Sequence, residues 1–307
     1  MCTRILVPLN GTGLAALAVA RTLATATGAS LSLLTVVPPR DAALDPQDTA
    51  RRAAHRRLQQ VAESLGGSGL HATIAVREGW PTEVIAACAR EVGADLVCMA
   101  THAYVGVQRL VLGSVAEGVL RETTLPVLLV QAGIGPMARG GDAPVVVPLD
   151  GSPLAESALP GSVALARQLA APLVLVRVRE AFPSFFDEYR PLGPDLASRA
   201  PWEPDEAAID AYLAAVRARL AYDDVRTVQL CGVPSAALVG YLRATHPRLV
   251  AMATHGRSGV ARWILGSVAA TVVHAAVAPV LLTRPVPPCN AAVGTDAAAP
   301  AAAIVPL

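Results

Sequence analysis

Apolar and polar positions alternate along the chain in two periods. Ile5 to Leu9 is a short, continuously apolar run closed by Asn10-Gly11-Thr12, and an alanine-rich stretch from Leu14 to Ala26 follows. This predicts a buried strand, a turn and a helix. Leu31 to Val37 reads as a second strand, ended by Pro38-Pro39. Ala54, Leu58, Val61 and Leu65 then recur at helical spacing, and Arg51, Arg52, Arg56 and Arg57 occupy the opposite face. Glycines 66, 67 and 69 stop that helix. Ala72 to Val76, Pro81 to Glu91 and Asp95 to Ala100 follow as strand, helix and strand, and a helix from Gly113 and a strand Val127 to Val130 complete the series. Strands apolar on both faces that alternate with helices imply a parallel sheet covered on two sides, a doubly wound α/β layer.

The series then repeats. Residues 96 to 116 and 249 to 269 share 14 of 21 positions at an offset of 153, and Ile5 to Thr12 answers Val145 to Ser152 at an offset of 140. Self-similarity at half the chain length means two copies of one domain. The growth in offset places a net insertion inside the second copy, mostly between its second strand and second helix, at about Ala181 to Trp202. That segment holds all three phenylalanines, Phe182, Phe185 and Phe186, with Tyr189 and Trp202. It suits packing over a sheet edge or a neighbouring subunit, or a flap beside a ligand site. The second helix of this copy carries Ile209, Leu213, Val216 and Leu220. The expected domains are 1–131 and 144–285, with a glycine-rich linker over 132–143 and a Pro- and Ala-rich disordered tail over 286–307.

Composition narrows the function. At 307 residues the chain suits two domains of roughly 150 residues, each able to bury its own core. The mean hydropathy of +0.47 comes largely from alanine, and no apolar run reaches the ~18 residues of a membrane span. With no signal-peptide pattern at the N-terminus, a cytoplasmic protein is expected. A net charge of +1 offers no field for nucleic acid. Cys2, Cys88, Cys98, Cys231 and Cys289 form no C-x-x-C pair, so reduced, structural thiols are expected and no metal site.

In open α/β sheets ligands sit beyond the carboxyl ends of the strands. There the second copy places Pro148-Leu149-Asp150-Gly151-Ser152 after its first strand, Val178 on its second, and Met252-Ala253-Thr254-His255-Gly256-Arg257 after its fourth. Gly266-Ser267-Val268 then opens a helix. Amides at a helix N-terminus, a serine hydroxyl and the dipole suit phosphate. The dipole supplies only about 0.3 to 1 kcal/mol, so several amides and Arg257 or Arg262 would have to act together. Asp150 is suited to accept bonds from a ribose or to help hold magnesium near the phosphates; its competing role is the N-cap of the next helix. The backbone beside Val178 could meet the edge of a base.

The segments VPLDGS, MATHGRSG and LGSVA resemble the universal stress protein family, and the chain resembles a tandem of two such domains over residues 4 to 131 and 144 to 284. The resemblance implies a Rossmann-like, adenine nucleotide alpha hydrolase-like sheet of strand order 3-2-1-4-5. It also implies ATP, ADP or AMP as ligand, with magnesium as a companion, a regulatory role in stress response, and pairing through the last strands, Val127 to Val130 against Val280 to Thr283. Doubling into a homodimer is compatible with it. The family's nucleotide-binding members carry G-x-x-G, nine residues, then G-S or G-T. Gly256, Gly266 and Ser267 match, and Ala253 replaces the first glycine.

In the first copy Ala100 and Ala103 occupy both glycine positions, Tyr104 stands for Arg257 and Asn10 for Asp150. Its weaker site comprises Asn10, Val36, Met99, Gly113, Ser114 and Val115. His102 and His255 occupy equivalent loop positions, but no base-orienting carboxylate accompanies them in the sequence, and no nucleophile or paired acid and base is visible. Slow ATP hydrolysis is the most chemistry expected. The alternative is a nucleotide-free interaction module of the same fold.

Overall fold

The computed structural model describes residues 2–10, 13–39, 49–101, 112–135, 137, 141–180, 205–254 and 265–284. In the first half β1 (Arg4–Pro8), α1 (Leu14–Thr27), β2 (Ser30–Val37), α2 (Thr49–Gly66), β3 (Ala72–Glu78), α3 (Pro81–Glu91), β4 (Leu96–Thr101), α4 (Ser114–Glu122) and β5 (Val127–Gln131) follow the expected alternation. The second half repeats it as β6 (Val145–Pro148), α5 (Pro153–Glu156), α6 (Leu159–Leu169), β7 (Leu173–Glu180), α7 (Glu206–Ala218), β8 (Val225–Gly232), α8 (Pro234–Thr245), β9 (Leu249–Ala253), α9 (Ser267–His274) and β10 (Val280–Thr283).

All ten strands form one sheet, ordered β3-β2-β1-β4-β5-β10-β9-β6-β7-β8. Within each half the order is 3-2-1-4-5 and every pairing is parallel. The halves meet through β5 and β10, the one antiparallel pair among the described strands, with Leu281 opposite Leu128. Apolar side chains on both faces build two cores, and each runs through both halves. One lies under α1, α2 and α5 to α7, with Ile5, Val147, Leu175 and Leu281; the other lies under α3, α4, α8 and α9, with Leu6, Val146, Val250 and Leu282. Each such fully buried side chain contributes roughly 1.5 to 3 kcal/mol.

Two details depart from the sequence reading. The first helix of the second half is broken into α5 and α6, because Pro160 has no N–H to continue the ladder. Leu220 lies past the end of α7, which is capped at Arg219, so only Ile209, Leu213 and Val216 form its buried stripe. The helices after Gly79-Trp80 and Gly232-Val233 begin at Pro81 and Pro234, with both glycines at positive φ, 144° and 128°. The aromatic insertion and the tail lie outside the described residues.

Candidate functional site

The carboxyl ends of β6, β7 and β9 and the N-terminus of α9 enclose a cavity of about 340 Å³, within the range of small-molecule sites. Pro148, Asp150, Val178, Met252, Ala253, Gly266, Ser267 and Val268 all line it. Eight of the thirteen positions named for this half from sequence are thereby brought to one space. Gly151 and Ser152 are not among its lining residues. Gly256, Arg257 and Arg262 lie outside the described residues, as do His255, His102, Ala103 and Tyr104.

The loop after β6 is built by local hydrogen bonding. Oδ1 of Asp150 accepts from the amide of Ser152 at 2.9 Å and from its hydroxyl at 2.6 Å. Ser152 in turn accepts from the amide of Ala155 at 3.1 Å. The N-cap of α5 is therefore Ser152, and the capping role considered for Asp150 is corrected: its carboxylate closes the turn that precedes the cap. Gly151 makes that turn at φ +82°, and a Cβ there would run into the Arg177 guanidinium.

The N-terminus of α9 differs from the expected phosphate cradle in one respect. The amide of Gly266 donates to the carbonyl of Thr254 at 3.2 Å, so this donor is engaged inside the protein. The helix ladder begins when Ala270 donates to Gly266 at 2.8 Å. The amides of Ser267, Val268 and Ala269 precede it, at residues that line the cavity, and Ser267 is exposed.

Sequence reasoning missed the wall opposite. Arg177 of β7 is 7% exposed, lines the cavity, and lies over the ring of Tyr212 at 5.3 Å from its centroid. The Tyr212 hydroxyl donates to Oε1 of Glu156 at 2.9 Å, and Arg219 holds Oε2 at 2.9 Å. Burial, and next the Glu156 carboxylate, push the Tyr212 hydroxyl well above its ordinary pKa. Arg179 also lines the cavity and pairs with Glu206 at 3.4 Å. The one signal was the arginine alternation Arg177-Val178-Arg179 at the end of an otherwise apolar strand.

The first half is arranged differently. Thr35, in register with the place of Arg177, donates its hydroxyl to the carbonyl of Leu9 at 2.9 Å. The cavity beside Asn10, lined by Leu9, Thr35 and Leu58, holds about 10 Å³, room for roughly one water. Met99 is buried, Val36 and Val115 are half-buried and Ser114 is exposed. Gly113 opens α4 at φ +93°, whereas Gly266 opens α9 at −55°, so the matching G-S pairs present their helices differently.

Among the described residues no group of three or more His, Cys, Asp or Glu could hold a metal ion, and no helix is long and apolar enough to cross a membrane. Cys98 is buried within β4, Cys88 is buried in α3, Cys2 is half-buried and Cys231 is exposed.

Known proteins place this architecture. A universal stress protein of Mycobacterium tuberculosis H37Rv is 28% identical over 191 residues, covering 62% of this chain and 62% of that relative, so the match spans less than two thirds of the relative's length. One from Mycolicibacterium smegmatis is 28% identical over 247 residues, 78% of each chain. The solved structure of a universal stress protein from Archaeoglobus fulgidus superposes with a TM-score of 0.69 at 19% identity, covering 92% of this chain and 98% of its own, a likeness of fold. The model of the universal stress protein family matches residues 1–131 and 143–284. The chain belongs to the universal stress protein family, as a tandem of two such units.

Proposed function

We propose that the chain is a regulatory stress-response protein that binds ATP or another adenine nucleotide, chiefly in the crevice of its second half. One observation carries this reading: the cavity of about 340 Å³ gathers the Asp150 carboxylate, the Val178 strand end and the α9 N-terminus around a single space. The base would lie along Val178, the ribose beside Asp150, and the phosphates at the amides of Ser267, Val268 and Ala269 with the Ser267 hydroxyl. Magnesium, if it accompanies the nucleotide, would take most of its ligands from phosphate and water, with Asp150 as the nearby carboxylate. The first half, with Asn10 and a space of about 10 Å³ beside it, would bind weakly.

The test is calorimetric titration of ATP into the full chain and into Ser267→Glu. Ser267 is exposed at the first position of α9, so an acidic residue there is compatible with the helix dipole and repels phosphate. Saturable binding by the wild type that is lost in the folded variant supports the reading; no binding by the wild type up to millimolar ATP ends it.

The nucleotide-free interaction module is the second reading, favoured by the engagement of the Gly266 amide with Thr254. Wild-type chain that is purified without adenine nucleotide and binds none would support it.

A further inference from the structure

The two halves exchange side chains at the ends of their last helices. Gln131 closes β5, is 5% exposed, and its Nε2 donates to the carbonyl of Val273 at 2.6 Å. Val273 stands in the last turn of α9, where carbonyls have no partner within the helix ladder. Within the second half this carbonyl is met by the Ala275 amide, whose other acceptor is Thr271, and at a long 3.4 Å by the amide of Ala276, a non-glycine residue held in the left-handed region at φ 52°. The short bond comes from the other half.

Arg284 is the counterpart of Gln131 at the 153-residue offset. It follows β10 and its Nη1 reaches the carbonyl of Arg121, in the last turn of α4, at 3.4 Å. The exchange is reciprocal but unequal, since the contact onto α9 is short and buried while the contact onto α4 is long and exposed. The strong contact is the one on the helix whose other end lines the cavity beside Asp150 and Val178. With eight residues α9 is about 12 Å long. Val272 and Val273 at its C-terminal end are buried in the core. In so short and so firmly packed a helix, fixing one end fixes the other.

We propose that Gln131 is a positioning residue for the crevice of the opposite half: by holding the C-terminus of α9 it sets where the amides of Ser267, Val268 and Ala269 stand. The first half then works as an anchor for the site in the second, whatever it binds itself. As a statement about ligand affinity this rests on the nucleotide reading.

The test uses the full chain with Gln131→Met, which keeps volume and removes the donor, and Arg284→Met, which removes the reciprocal contact. Two quantities are measured, hydrogen exchange of α9 and α4 in the unliganded chain and ATP affinity by calorimetry. Gln131→Met is expected to speed exchange in α9 and weaken ATP binding roughly three- to tenfold, the effect of one lost hydrogen bond. Arg284→Met is expected to act on α4 and leave ATP affinity within about twofold. Adding Ala276→Gly to Gln131→Met, so that α9 can close its own end, restores part of both losses. Unchanged α9 exchange in Gln131→Met, or equal weakening of ATP binding by both single variants, overturns the proposal. A wild-type chain that binds no ATP overturns the nucleotide reading instead, and the exchange data alone then decide whether Gln131 holds α9.

Discussion

Leu281 of β10 lies opposite Leu128 of β5 in the antiparallel pair that joins the two halves, and both side chains are 1% exposed. The junction is made of core, so the sheet continues through it without a polar seam.

Leu281→Ala should therefore cost about 2 to 5 kcal/mol, the range for a buried leucine whose site cannot collapse. Urea unfolding followed by circular dichroism measures it. A loss below about 0.5 kcal/mol, as at a surface position, would show that the junction is not packed as described.

Two glycines in the second half should respond in opposite directions to alanine. Gly151 combines φ +82° with the buried Arg177 guanidinium in the place of a Cβ, so Gly151→Ala is destabilising by more than about 1 kcal/mol. Gly161, inside α6, has open space where its Cβ would stand. Gly161→Ala should raise stability by about 0.5 to 1 kcal/mol. Thermal denaturation of the pair checks both signs.

Ser152→Ala removes the cap of α5 and a hydroxyl that donates to Asp150. A stability loss of about 0.5 to 2 kcal/mol is expected. Because the Asp150 carboxylate would keep the amide of residue 152 but lose its shorter, hydroxyl partner, ATP affinity should change in the same variant; affinity identical to wild type would separate Asp150 from the ligand.

Tyr212 gives the fold an alkaline limit. Burial first, and the Glu156 carboxylate second, raise its hydroxyl above the ordinary 10.0, so the folded chain holds this proton more tightly than the unfolded chain. The stabilisation is whole below about pH 10 and declines as pH rises beyond it. Denaturant unfolding from about pH 9 to about pH 11 should show the decline, and Tyr212→Phe should flatten it; an equal decline in the variant would assign it elsewhere.

The alternation of apolar runs made the elements legible, with α3 falling at Pro81–Glu91 as read. The family resemblance supplied the strand order and the pairing of β5 with β10. Local periodicity reports which face of an element is buried, so these features survive in sequence. The lining of the candidate site was legible where it is made of contiguous motif, at Asp150, Ala253 and Ser267. It was illegible where distant residues converge. Arg177 and Tyr212 meet only because α7 packs on β7, and Gln131 reaches Val273 across 142 positions. The engagement of the Gly266 amide is a matter of backbone direction, which residue identity does not encode.

In the proposed mode of binding, the amides opening α9 receive the phosphates. Backbone amide resonances followed through an ATP titration of the full chain test it most directly. Large, saturable shifts at Ser267, Val268 and Ala269, with smaller ones at Ser114 and Val115, are predicted. Saturation with those three resonances unmoved would contradict it.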